Sequence, residues 1–154
     1  MAHLIALVIA IAISGFVVLG GTNYINFDSF DKIKIKNEIL SDYTNLINGR
    51  SIYMQHTDLN LTVLDWENEI KEYVFLPNDI NGLTWVYNKN STGEYFCLTG
   101  NVEKANFYNA LIEFADELNQ DSYFINTNCG STENFDSSLN FNLAPQVSVT
   151  FYVK

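Results

Sequence analysis

Basic residues are scarce in this chain, and so are the residues that build sites. Arginine occurs once, at Arg50, and 8 bases stand against 18 acids to leave a formal net charge of −10. Contact with phosphate needs a basic surface, so a nucleic-acid partner is excluded on electrostatic grounds. Three bases do sit together, Lys32, Lys34 and Lys36, but Asp28, Asp31 and Glu38 surround them, and the group reads as a solvated helix face. The two histidines, His3 and His56, and the two cysteines, Cys97 and Cys129, form no CxxC, no CxxCH for haem and no zinc spacing. GxSxG, HExxH, a Walker loop and GxGxxG are all missing. Asp58 with Asp65, or Glu67 with Glu69, would make an acid–base pair, yet an acidic domain yields such pairs by chance. No enzyme activity, no cofactor and no metal are expected.

One stretch lacks Asp, Glu, Lys and Arg altogether. From Ala2 to Gly21 the only ionisable side chain is His3. As a secretory signal peptide it would need a basic front and a small-residue cleavage site, and it offers Met-Ala-His and the poor pair Gly20-Gly21. A membrane span fits better, because about 20 apolar residues at 1.5 Å each cross a ~30 Å hydrocarbon core. A helix buried in a protein assembly fits equally well, since apolarity all round marks burial without saying in what.

The helical pattern carries on past this stretch and then gives way to another. Phe30, Ile33, Leu40, Tyr43 and Ile47 recur at steps that place them on one helical face, and Asn48-Gly49 reads as a C-terminal stop. The expectation is one helix of about 45 residues, with Gly15, Gly20 and Gly21 as its soft spot. Beyond Gly49, strands are expected at 59–64, 71–76, 82–88, 94–98, 123–127 and 146–153, where aromatic and β-branched residues gather between turn residues. Phe107, Leu111, Phe114 and Leu118 mark one amphipathic helix among them. The fold class is α+β. A hydrophobic membrane or filament-core helix (1–24) and its amphipathic continuation (25–49) lead to a globular head (50–154), whose antiparallel sheet covers the second half of the helix. The remaining 130 or so residues suffice for one compact domain and not two. Behind a membrane-crossing segment, Cys97 and Cys129 read most simply as one disulfide formed in an oxidising compartment; the other reading is two separate buried thiols.

This arrangement resembles a type IV pilin. The resemblance rests on the 20-residue apolar run continuing as an amphipathic helix to about residue 50, the antiparallel sheet, and a C-terminal region closed by two cysteines. Leu76-Pro77 and the helix between Cys97 and Cys129 look closer to the type IVb branch, and pseudopilins of type II secretion share the plan. The resemblance implies a structural subunit, held in the bacterial inner membrane before assembly, that polymerises with copies of itself into a helical cell-surface filament. It implies that Met1, Leu4, Ile5, Leu7, Val8, Ile11, Phe16, Val17 and Leu19 form the filament core. The family typically carries Glu at the fifth mature position, where it pairs with a neighbour's N-terminal amine. This chain has Ile5, and His3 is the nearest polar side chain.

Other classes stay open beside it. A single-pass, membrane-anchored binding module would use its head to recognise a surface or glycan receptor, with Trp66, Trp85 and Tyr87 as a sugar platform; as strand residues these three also suit the core. A minor pilin or pseudopilin is a further alternative. Asn60-Leu61-Thr62, preceded by Asp58, and Asn90-Ser91-Thr92 are glycosylation sequons, although an Asn-rich chain produces such matches by chance.

Overall fold

A computed structural model of the chain describes residues 27–102, 104–117, 123–134 and 146–153. The chain divides into two compact units, Met1–Asp31 and Lys32–Lys154, and the sheet with its packed core belongs to the second. The fold is α+β, with an N-terminal helix and a four-stranded antiparallel sheet. Among the described residues no helix is long and apolar enough to cross a membrane. The uncharged run, with its filament-core residues and glycines, lies outside them.

Helix α1 (Phe27–Thr57) buries a stripe of Ile39, Leu46 and Tyr53, with Ile35, Leu40, Tyr43, Ile47 and Met54 packed along its edges. The expected stripe through Leu40, Tyr43 and Ile47 is thus the flank of the true one, about 100° of rotation away. Ile33 falls off the stripe and is exposed. The helix also runs past Asn48-Gly49. Gly49 serves close approach and not termination: a Cβ there would stand 2.5 Å from Cγ2 of Val74. The stop comes at Asp58, whose left-handed φ of 56° breaks the helical path while its N–H still reaches the Met54 carbonyl at 3.0 Å.

The sheet comprises β1 (Leu83–Lys89), β2 (Glu94–Asn101), β3 (Tyr123–Asn126) and β4 (Gln146–Tyr152), in the order β1-β2-β4-β3. Its register sorts side chains into two unlike faces, because alternate residues of a strand point oppositely. On one face Tyr87, Phe96, Phe151 and Tyr123 form a row across all four strands, and Trp85, Leu98, Val149 and Ile125 form the next. Tyr43 of α1 stacks on Phe151 with centroids 4.4 Å apart, so this face meets the helix. Helix α3 (Ala105–Glu117) adds Phe107, Tyr108 and Leu111 to the same core, and Lys32 of α1 pairs with Glu113. Of the stripe expected for this helix, Phe107 and Leu111 are buried, and Leu118 lies outside the described residues.

The opposite face is polar and needs its own cover. Ser148 and Thr150 are fully buried there. The segment 127–134 lies across them: Gly130 N–H donates to Thr150 Oγ1 at 2.9 Å, and Ser148 Oγ donates to the Thr127 carbonyl at 3.2 Å. A disulfide between Cys97 of β2 and Cys129 fixes this strap to the sheet.

Two expected strands are absent. In 59–64 only Leu61 is buried, so the alternation of apolar residues has no core face to satisfy. The 71–76 run continues a short helix, α2 (Trp66–Ile70), as turns in which Tyr73 and Val74 N–H groups both donate to the Ile70 carbonyl. Trp66 and Ile70, four residues apart, anchor that helix in the core.

Replacing Gly49 with Ala should lower stability by about 1–3 kcal/mol through the clash with Val74, outweighing any gain in helix propensity. Urea unfolding checks this, and adding Val74→Ala should recover part of the loss. Mass spectrometry of the native protein should find no free thiol. Removing the disulfide should cost roughly 2–4 kcal/mol.

Candidate functional site

A tight turn positions the first site. Asn81 and Gly82 both take positive φ, 49° and 85°, and Ile80 and Leu83 exchange two backbone hydrogen bonds of 3.0 Å around them. That is the turn which suits the twist of a hairpin, and it delivers Thr84 and Trp85 at the start of β1. Opposite them stand Trp66 and Glu67 of α2 and the segment Leu76-Pro77-Asn78-Asp79. Together they enclose an open groove of about 390 Å³. Its charged lining consists of two carboxylates, Glu67 and Asp79, with no cation.

The indoles do not form an open platform. Trp66 is 7% exposed and Trp85 6%, so each shows the groove little more than an edge. Trp66 meets Phe96 edge-on at 5.7 Å and Trp85 lies 5.7 Å from Phe151, which makes both rings core. Tyr87 is buried and does not line the groove. Of the two readings of these rings, core and sugar platform, burial supports the core: rings that close the core have little face left to stack on a sugar. Beside Trp85, burial pushes the Asp42 carboxyl above its ordinary range and Glu38 pushes it further, while the Trp85 indole opposes both.

A second cluster joins α1 to the β1–β2 hairpin. Arg50 donates to Glu94 Oε2 through Nη2 at 2.7 Å and Nε at 3.1 Å, and Lys89 reaches Oε1 at 2.9 Å. Lys89 and Glu94 face each other across the hairpin, so one carboxylate ties both strands to the helix. Partial burial acts to raise the Glu94 carboxyl, but the bonds from Lys89 and Arg50 win and hold it down to about 2. Burial, together with the same carboxylate, pushes the Tyr87 hydroxyl well above its usual range. Held that low, the Glu94 carboxyl stays ionised at neutral pH. The cluster is a clamp.

The remaining predicted residues are dispersed. Asn60 is exposed in the loop after α1, whereas Thr62 of its sequon gives both its N–H and hydroxyl to Glu69. Asn90 is engaged on both ends of its amide: Nδ2 donates to the Gly130 carbonyl and to the Tyr152 hydroxyl at 3.0 Å, while Oδ1 accepts from Thr92 and Gly93. A glycan on Asn90 would take the place of one of those two N–H donors. Glu69 is held by Thr62 and Asp65 accepts from Asn68, so neither expected carboxylate pair faces a shared opening. His56 packs 5.5 Å from the Tyr73 ring. Among the described residues no three His, Cys, Asp or Glu side chains group to hold a metal ion. The groove was missed because its signal, Asn81-Gly82, is a hairpin turn that the strand reading at 82–88 cuts through.

Comparison with protein-family models, with curated proteins and with solved structures found no match for the chain in any of the three.

The clamp makes stability depend on pH. The folded Glu94 carboxyl is depressed from 4.5 to about 2, so its contribution is complete above pH 4.5 and drains away as pH falls to 2. Glu94→Gln should cost about 1–3 kcal/mol at neutral pH and flatten the decline across that window, as measured by urea unfolding at stepped pH.

Proposed function

We propose that the chain is a structural subunit of a type IV pilus-like filament, held in a bacterial inner membrane before assembly and displayed at the cell surface after it. One combination carries the reading. A run without charge from Ala2 to Gly21 precedes a helix whose inner stripe, Ile39, Leu46 and Tyr53, is sealed by an antiparallel sheet, and a disulfide closes the far side of that sheet. A head built around the helix Phe27–Thr57 leaves the uncharged run to find its own apolar surroundings.

Lipid satisfies that half at first, because a helix bonds its own backbone. Once extracted, Leu4, Ile5, Leu7, Val8, Ile11, Phe16, Val17 and Leu19 must meet other helices. Burying them is worth on the order of 10–20 kcal/mol per subunit at ~25 cal/mol per Å². Ala2, Ala6, Ala10, Ala12, Ser14 and Gly15 let the helices come close. Self-association drives assembly, and no cofactor enters. A membrane-anchored binding module is the second reading; the groove between Trp66 and Trp85 is the observation that favours it.

Ile11→Asp separates the two. In a filament core an unpaired carboxylate costs several kcal/mol in every subunit, so fibres seen by negative-stain microscopy should vanish while the monomer stays in membranes. A plain anchor loses only about 2.5–3.5 kcal/mol of insertion energy. A wild-type chain that forms no fibres would leave the anchored module as the better account.

A further inference from the structure

Of the two Asn-x-Ser/Thr sequons, the fold opens one to solvent and closes the other. Left-handed Asp58 ends α1 and turns the chain into a loop, where 59–62 has no regular structure. Asn60 and Thr62 are exposed on either side of Leu61, which is only 2% exposed and pins the loop to the core. The acceptor amide and the hydroxyl two residues on are thus both open to an enzyme. The Asn60 amide has no hydrogen bond among the described residues. Glu69 steadies Thr62, its carboxylate accepting the N–H at 2.8 Å and the hydroxyl at 3.0 Å. Asn90 lacks such freedom. Its Nδ2 is held by the Gly130 carbonyl and the Tyr152 hydroxyl, and a Cβ on Gly130 would already stand 2.9 Å from it. A sugar on that nitrogen would have to push the strap off the sheet.

The loop around Asn60 also lacks cover. Leu59, Val63 and Leu64 are 60%, 38% and 99% exposed, and all lie within four residues of Asn60. Resting on the filament reading only for export of the head, we infer that Asn60 carries an N-linked glycan and Asn90 none. The Asn60 amide nitrogen bonds to the anomeric carbon of the first sugar and gives one proton to a base. The bond from that carbon to a lipid-linked pyrophosphate breaks, and the pyrophosphate leaves with its electron pair. The donor is therefore a lipid-pyrophosphate oligosaccharide, and a membrane-bound oligosaccharyltransferase brings donor and acceptor together outside the cytoplasm. A bulky, hydrated glycan at this position screens the exposed leucines from non-specific contact. That screening matters most where many heads sit together.

The test is intact-mass and peptide mass spectrometry of the protein purified from the cells that make it. Added mass in sugar units is expected on the peptide holding Asn60, and none on the peptide holding Asn90. Asn60→Gln and Thr62→Ala should each lose it completely. Thr62→Ser should keep it, because the hydroxyl remains. A bare Asn60, a glycan on Asn90 in its place, or added mass that survives Thr62→Ala would overturn the inference. Negative-stain microscopy of the same preparation decides the filament separately. Fibres with a bare Asn60 keep the filament and end the glycan; a glycan on Asn60 without fibres does the reverse.

Discussion

The stacking of Tyr43 on Phe151 is the contact on which this architecture turns. Phe151 sits on β4, one of the two inner strands, and it also lies 5.5 Å from Tyr123 and 5.7 Å from Trp85. One ring therefore joins the helix to three strands. Aromatic pairs at these separations contribute about 0.5–1.5 kcal/mol each beyond the area they bury, and Tyr87 and Phe96 extend the row to the hairpin. Committing these rings to the helix side leaves Ser148, Thr150, Thr99 and Cys97 on the other side of the sheet, beside Tyr95, Tyr152 and Phe124. Buried hydroxyls demand partners. The strap at 127–134 supplies them, and the disulfide holds the strap where it can.

Much of this was legible from residue pattern. The four strands were readable because their aromatic and β-branched runs end at turn residues, and α3 because Phe107 and Leu111 keep a helical step. The pairing of Cys97 with Cys129 was one of two readings of those cysteines, the simpler one behind an apolar segment, and the disulfide is the one the structure holds. Errors came where one local pattern supports two structures. Leu59, Leu61 and Val63 alternate as a strand would, yet only Leu61 finds a core. Asn48-Gly49 carries the chemistry of a helix stop, but the glycine answers to Val74, 25 residues away in sequence, and no local rule sees that far. The stripe on α1 was misplaced by one position because apolar residues occupy both 39 and 40, and both 46 and 47.

The sites were less legible than the fold. Arg50 was visible only as the single arginine; that it clamps Glu94, 44 residues on, depends on how the helix lies against the hairpin. Trp66, Trp85 and Tyr87 attracted attention as rings, whereas the groove beside two of them is defined as much by Pro77, Asp79 and the turn at Asn81-Gly82. Residue type suggested chemistry there, and tertiary placement decided which atoms remained exposed.

These features give the head a division of labour. A clamp and a disulfide stiffen it, and an open groove lies beside the turn at Asn81-Gly82. The central claim is that residues 1–24 form the axis of a polymer of this chain. Helical reconstruction by electron cryomicroscopy of the wild-type protein after detergent removal tests it most directly. Fibres with the apolar helices bundled at the centre and the heads outside are predicted; protein that stays monomeric and detergent-bound, or fibres with residues 1–24 on their surface, would contradict it.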